Sequence, residues 1–345
     1  MASFQESTIF KNEEMLSPDH LPELLPHREQ QIKQIANNLL PASKGRQPQN
    51  TFVFGSPGIG KTASIKYVFR EFESYSGIKT IYINCWDYKT AVAVLSKTAI
   101  ELGYPVQRRG WGKDEIFDKL IEVLNKINKG LIICLDEVDQ LEQEALYDLL
   151  RLNSKNPAGL VAISNIPFVF VNAEPRIRSS LGMDEIEFKP YTLMEMKDIL
   201  QERVKYGVTS VEDGVVMLAA NHAVQKGGDV RIGLQCILKA GRVAEQENAN
   251  KIKIEHMRKV LKEVKEVKPE ILKEKVNGHE RAILEILKDG KIWKSSELYK
   301  RYCEGSENHV SDRLFRDCIN HLAEVNLVKI RKKKVHGSIR LISKA

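Results

Sequence analysis

The segment Gly55-Ser56-Pro57-Gly58-Ile59-Gly60-Lys61-Thr62 constrains this chain more than any other. It is entered from the β-branched and aromatic run Thr51-Phe52-Val53-Phe54 and leaves into a helix-like stretch from Ala63 to Phe72. That is the strand-loop-helix setting in which the pattern G-x-x-x-x-G-K-[ST] cradles phosphate. Glycines let backbone N–H groups converge on phosphate oxygens, and the helix N-terminus adds positive potential. Lys61 reaches the terminal phosphates and Thr62 offers a hydroxyl to Mg²⁺. The loop reads as a nucleotide site.

Asp136 lies 75 residues beyond Lys61, at the end of the apolar run Gly130-Leu131-Ile132-Ile133-Cys134-Leu135 and before Glu137, Val138 and Asp139. Such a run is what a strand buried on both faces of a parallel sheet looks like. Following a phosphate loop, it offers Asp136 to anchor Mg²⁺ and Glu137 to polarise a water, since phosphoryl transfer asks the protein mainly for positioning and charge stabilisation.

From 51 to about 190, apolar strands (Thr51 to Phe54, Thr80 to Asn84, Leu131 to Leu135, Leu160 to Ile163, Glu185 to Phe188) alternate with amphipathic helices. The alternation predicts a parallel sheet with helices on both faces. Beyond Pro190 only helices are predicted: Thr192 to Val204, Glu212 to Gln225, Val230 to Gln246 and Ile254 to Val264, punctuated by Gly207, Gly227-Gly228 and Asn248 to Asn250. The expected domains are a flexible arm over 1–20, a nucleotide domain over 21–190, a helical domain over 191–264, a linker over 265–277 and a last domain over 278–345.

In that last domain, helices over Glu280 to Lys288, Ser296 to Cys303 and Ser311 to Val325 precede two β-like runs, Val328 to Lys333 and Ser338 to Ile342, with a turn at Val335-His336-Gly337. Three helices and a hairpin form the winged variant of helix-turn-helix. Leu314, Phe315, Cys318, Ile319 and Leu322 are the expected buried face of the third helix, leaving Arg313, Arg316 and Asn320 for a DNA groove.

Charge supports that assignment. Residues 1–264 carry 34 Lys plus Arg against 34 Asp plus Glu, whereas the last 81 residues carry 19 against 12, the whole formal excess of +7. Arg331, Lys332, Lys333, Lys334 and Arg340 lie in a stretch, Val325 to Ala345, that has no acid at all. This is the electrostatic footprint of phosphate contact. A second basic segment, Tyr104 to Lys113, interleaves Arg108, Arg109, Trp111 and Lys113 with glycines and suits a loop that follows a sugar-phosphate backbone.

At 42% hydrophobic and 29% charged residues, composition is that of an ordinary soluble chain with room for two or three domains. No run approaches membrane-spanning length, and Glu13, Glu14 and Pro18 stand where a leader would need apolar residues. A cytoplasmic, nucleoid-associated protein is expected. Five scattered cysteines without a C-x-x-C pair and eight histidines without ligand spacing predict buried thiols and no zinc.

Seven ordered motifs span residues 21–342: Leu25-Pro26-His27-Arg28-Glu29, the loop at 55–62, Leu135 to Asp139, Ala162-Ile163-Ser164-Asn165, Arg176 to Leu181, Phe188-Lys189-Pro190-Tyr191 and Gly228-Asp229-Val230-Arg231. Together they resemble the archaeal replication initiators related to the largest origin-recognition subunit and to the eukaryotic cell-division-cycle licensing protein. The resemblance implies an α/β fold: an AAA+ P-loop parallel sheet domain, a helical lid and a C-terminal winged helix. It implies ATP or ADP with Mg²⁺ as cofactors, a weak ATPase acting as a switch, duplex origin DNA as partner, and paralogous initiator subunits and the replicative helicase as further partners.

The same resemblance implies roles by position. Lys61, Asp136, Glu137 and Asn165 are the expected catalytic set, with Asn165 at the sensor 1 position near the γ-phosphate and Thr62 and Asp136 at the metal. Pro26, His27 and Arg28 wall the adenine side, Gly58, Ile59, Gly60, Lys61, Thr62 and Ala63 hold phosphates, Tyr191 and the sensor 2 residue Arg231 complete the nucleotide contacts, and Arg203, at a further nucleotide-contacting position, faces the phosphates or braces the lid. Trp86 to Lys113 matches the initiator-specific insertion. Where many AAA+ proteins carry a Ser-Arg finger for a neighbouring subunit, this chain has Ser179-Ser180-Leu181, leaving Arg176 or Arg178 as candidates and slow turnover as the expectation. A nucleotide-gated transcription regulator and a clamp-loader-like ATPase are the rival readings.

Overall fold

The computed structural model describes residues 9–104, 112–126, 130–152, 157–170, 180–262, 278–287, 291–305, 310–324, 328–334 and 338–344. The chain divides into two compact units, Met1–Val260 and Leu261–Ala345.

In the first unit, five strands form one parallel sheet: β1 (Thr51–Phe54), β2 (Lys79–Asn84), β3 (Leu131–Asp136), β4 (Ala158–Ser164) and β5 (Asp184–Glu187), in the order β2-β3-β4-β1-β5. Parallel pairing requires a crossover between consecutive strands. Helices α1 (Glu29–Ser43), α2 (Lys61–Ser76), α3 (Ala91–Glu101), α4 (Lys113–Lys126) and α5 (Gln143–Leu150) surround the sheet. Because side chains alternate along a strand, Ile81, Ile83, Ile133 and Leu135 join Val94, Leu95, Leu120 and Leu146 in one buried cluster. The intervening Ile132, Cys134, Val161 and Ile163 are buried as well. All six residues of β3 are buried, as a strand covered on both faces must be. The register Phe54↔Ser164 brings the ends of β1 and β4 level, and Asn84↔Asp136 does the same for β2 and β3. The carboxyl edge is where an open α/β sheet offers its ligand crevice.

Three helices follow: α6 (Leu193–Gly207), α7 (Val215–Gln225) and α8 (Val230–Gln246), packed pairwise, then a further helix, α9, over 254–262. Thr192 and Glu195 form a reciprocal capping box that starts α6, and Asp229 caps α8 by accepting from Arg231 N–H at 2.9 Å.

The expectation of a flexible arm is corrected for residues 9–20. Phe10 bridges antiparallel to Val208, Lys11 N–H donates to Gly207 O at 3.0 Å and Thr209 N–H to Ile9 O at 2.8 Å. Ile9 and Leu16 are fully buried. Sequence periodicity could not show this, because one bridge and one helical turn (Glu13–Leu16) are too short to carry a repeat.

In the second unit, α10 (Gly278–Ile286), α11 (Ser295–Glu304) and α12 (Asp312–Glu324) pack with a three-stranded antiparallel sheet. Strands β6 (Trp293–Lys294), β7 (Val328–Lys334) and β8 (Ser338–Lys344) lie in the order β6-β8-β7. The three helices and the two paired strands β7 and β8 stand where the sequence predicts them, the predicted turn at Val335-His336-Gly337 lies outside the described residues, and β6 is additional. Phe315, Cys318, Ile319 and Leu322 are buried in α12, but Leu314 is 49% exposed. The expectation of a buried Leu314 is corrected: on α12 it falls beside the charged positions rather than on the stripe that faces α10 and α11.

Candidate nucleotide site

Lys61, Thr62, Asp136, Glu137 and Asn165 lie at or just beyond the carboxyl ends of β1, β3 and β4. The loop after β1 turns through Gly58 (φ +71°) and Gly60 (φ +92°), left-handed conformations that a side chain resists. A Cβ added at Gly58 would stand 1.8 Å from the Asp229 carboxylate, and one added at Gly60 would stand 2.8 Å from the Tyr191 hydroxyl. The loop therefore sits under the lid as well as under the sheet. Val230 N–H, at the start of α8, donates to Gly58 O at 3.0 Å.

Lys61, Thr62 and Ala63 form the first turn of α2. The Lys61 ammonium is buried and donates to Gly55 O at 2.7 Å, Ser56 O at 2.8 Å and Asn165 Oδ1 at 2.8 Å. Burial pushes its pKa down to about 8 against the pull of Glu137 and Asp136. Thr62 Oγ1 and Tyr82 Oη each donate to Asp136 Oδ2 at 2.7 Å, and Glu137 N–H donates to Asp136 Oδ1 at 2.9 Å. Burial also raises the Tyr82 phenol, and the Asp136 bond adds to the effect, so it stays a donor.

Glu137 adopts φ +54°, a conformation uncommon for a residue with a long side chain, at the turn out of β3. Its carboxyl is raised by burial and by Asp136, with Asn165 opposing. Asn165 Nδ2 donates to Glu137 Oε2 at 2.9 Å, and Ser164 Oγ donates to Asp139 Oδ1 at 2.6 Å, fixing the turn from the next strand.

Around this centre, Arg28 is buried and stacks on Tyr191 with 3.8 Å from guanidinium carbon to ring centroid. It donates to Ile59 O at 2.9 Å and to Lys189 O at 2.8 Å, tying the loop to the segment entering α6. His27 (φ +65°) contacts Asp198 at 3.2 Å, and Pro26 precedes it in the same turn. Arg231 is 51% exposed and paired with Asp229 at 2.7 Å.

The residues fit a nucleotide with Mg²⁺. Among the described residues the buried Lys61 ammonium hydrogen-bonds neutral oxygens, which an anionic phosphate could replace, and the Thr62–Asp136 pair is an all-oxygen donor set of the kind Mg²⁺ takes.

The comparisons agree with that chemistry. Residues 44–174 match the AAA domain family and residues 197–262 the Cdc6 AAA+ ATPase-type lid domain. The ORC1-type DNA replication protein 1 of Aeropyrum pernix is 31% identical over 364 residues, 98% of this chain and 92% of that protein. The chain belongs to the ORC1-type/Cdc6 family of DNA replication proteins. The Archaeoglobus fulgidus ORC1-type DNA replication protein 1 is 36% identical over 271 residues, 75% of this chain and 66% of that one. Among solved structures, the Aeropyrum pernix ORC1 protein in complex with DNA aligns with a TM-score of 0.80 at 31% identity, covering 99% of this chain and 94% of that one. Cdc6p of Pyrobaculum aerophilum aligns at 0.68 and 26% identity, covering 97% and 94%.

As an ORC1-type/Cdc6 protein the chain is an AAA+ ATPase, and its remaining site expectations divide. Of the two expectations for Arg203, contact with the phosphates is corrected and a bracing role is what the contacts show: buried in α6, it donates to Ser17 O at 2.8 Å and His20 O at 3.2 Å, holding the N-terminal segment. Lys113 is committed to Glu144 at 2.6 Å and Asp148 at 3.3 Å, which closes α4 onto α5. Arg316 pairs with Asp312 along α12, and Arg340 donates to Asn320 at 3.4 Å. Arg108, Arg109, Trp111, Arg176 and Arg178 lie outside the described residues, as do the side chains of Arg313, Arg331, Lys332, Lys333 and Lys334. Among the described residues no group of His, Cys, Asp and Glu could hold a metal by itself, and no helix is long and apolar enough to cross a membrane.

Sequence reasoning missed Tyr82 and, as a site residue, Asp229. Tyr82 carried only a weak signal, a polar-tipped residue among the apolar positions of an otherwise strand-like run, and its partner Asp136 emerges only from the β2–β3 register.

Proposed function

We propose that this ORC1-type ATPase is a replication initiator that binds duplex origin DNA and is switched by ATP binding and slow hydrolysis, with recruitment of the replicative helicase as its output. The observation that carries the switch is the hydrogen bond from Val230 N–H, the first residue of the lid helix α8, to Gly58 O of the phosphate loop. It makes the lid part of the site's wall, so a change at the phosphates is felt by α8 and by Arg231, the residue that α8 presents one position later. Lys61 would hold the terminal phosphates, Thr62 and Asp136 would hold Mg²⁺, and Asn165 would align the attacking water against Glu137 as base. When bound, Mg²⁺ neutralises phosphate charge and orients the oxygens.

DNA contact is assigned to the hairpin bearing Arg331 to Lys334 and Arg340, to α12 with Arg313, Arg316 and Asn320, and to the insertion segment with Arg108, Arg109 and Trp111. The intramolecular pairing of Lys113 removes it from the first choice for that surface. Paralogous initiators are further partners.

Footprinting on genomic DNA with ATP, with ADP and without nucleotide tests both halves. Protection at one or a few replication start regions, altered between ATP and ADP, is the expected outcome. Occupancy spread over many promoters would favour a nucleotide-gated transcription regulator, and binding without site preference a clamp-loader-like role.

A further inference from the structure

Asp136 Oδ2 is shared by two hydroxyl donors with unlike freedom. Thr62 Oγ1 donates from the first turn of α2, and Tyr82 Oη donates from β2, both at 2.7 Å. The threonine belongs to the phosphate loop, and its hydroxyl is the group offered to a cation, so its bond to Asp136 is exchangeable. The tyrosine is fixed from two sides. Its Cα pairs with Cys134 within the six-residue β2–β3 register, one step diagonally from Asp136 on the same sheet face. Its ring lies beneath the Lys66 ammonium of α2, 4.6 Å from nitrogen to centroid. With Oδ1 engaged by Glu137 N–H at 2.9 Å, the carboxylate is held at both oxygens by groups that do not belong to the phosphate loop.

We propose that Tyr82 is the positioning residue for Mg²⁺ in this site: its hydroxyl fixes the Asp136 carboxylate in the orientation from which, with Thr62, it receives the cation. The proposal rests on the assignment of Thr62 and Asp136 as the Mg²⁺-holding pair. Groups that hydrogen-bond a metal-holding carboxylate set its direction, and their loss typically costs about 10–100-fold in metal affinity or activity.

The test compares the full chain with its Tyr82→Phe variant, which keeps the ring and its Lys66 contact and deletes one hydroxyl. Binding of a fluorescent ADP is measured in EDTA and then across a Mg²⁺ titration, with melting temperature recorded for both proteins. The expected result is equal affinity in EDTA and, for the variant, an about tenfold higher Mg²⁺ concentration for half of the metal-dependent gain. An unchanged Mg²⁺ requirement overturns the proposal. So does a loss of affinity in EDTA, which would make Tyr82 a support of the fold. A wild type whose ADP affinity ignores Mg²⁺ overturns the metal assignment itself, and that arm does not involve the variant.

Discussion

Lys61 and Asn165, 104 residues apart, are joined by a 2.8 Å hydrogen bond from Nζ to Oδ1. The other end of the same amide donates to Glu137 at 2.9 Å, so the side chain spans from the Lys61 ammonium to the Glu137 carboxyl. An amide does this and a carboxylate does not, because only an amide both accepts and donates. Asn165→Ala is expected to lower ATP hydrolysis about a hundredfold, the usual cost of losing one aligned polar group at a reacting centre. It should weaken ATP binding less, by about tenfold, since one hydrogen bond to a charged group is worth about 1.5 kcal/mol or somewhat more. Single-turnover hydrolysis and equilibrium binding separate the two, and an equal loss in both would remove Asn165 from the water-aligning role.

Lys61 gives the site a pH signature. Its folded-state pKa, pushed down by burial to about 8, lies below the usual 10.5. Between those values the unfolded chain holds a proton that the folded chain has released, so this residue's contribution to stability rises with pH through that window. Nucleotide binding needs the ammonium and has the opposite slope. ADP affinity should be level from pH 6.5 to 7.5 and fall by up to about tenfold per unit above pH 8, with proton uptake on binding at pH 8.5. Calorimetry in buffers of different ionisation enthalpy reads that uptake. Lys61→Met should abolish both the binding and the stability slope.

The base proposed for hydrolysis, Glu137, carries a conformational cost at φ +54°. Burial and the neighbouring Asp136 raise its carboxyl above the ordinary range, toward the pH at which a base works best. Glu137→Gln should reduce hydrolysis about 10²–10⁴-fold while ATP stays bound, and it should raise the melting temperature slightly by removing charge beside Asp136 and Asp139. A variant that still hydrolyses at the wild-type rate would shift the base role to another group. The acid limb of hydrolysis against pH should sit above the usual carboxylate value in the wild type, because the base is lost as pH falls through the raised pKa.

The sheet and its site were legible because each rests on local pattern: alternating apolar strands, the glycine loop and the acids after β3 place Lys61, Thr62, Asp136, Glu137 and Asn165 on one edge by topology alone. What stayed hidden depends on contacts between distant segments. Tyr82 acquires its role only through the β2–β3 register, Arg203 faces a segment some 180 residues earlier in sequence, and Leu314 is exposed because the stripe on α12 is narrower than its apolar residues. Asp229 could be read as a helix cap but not as the group lying on Gly58.

Arg203 and Gly241 give the N-terminal segment an energetic role that can be measured. The buried guanidinium joins Ser17 O and His20 O to α6, and the Phe10 ring lies so close to α8 that a Cβ on Gly241 would stand 2.3 Å from it. Charge-assisted hydrogen bonds contribute about 1.5–3 kcal/mol each, so Arg203→Met should destabilise the first unit by about 2 kcal/mol or more after its own apolar packing is counted. Gly241→Ala should cost about 1–3 kcal/mol by forcing Phe10 out of its contact. Both bear on one strap, so the double variant should lose less than the sum of the two singles. Denaturant unfolding followed by a probe on residues 9–20 and by one on the sheet tests this. Strict additivity, or an unfolding midpoint unmoved by either change, would show that the segment merely lies on the lid without holding it.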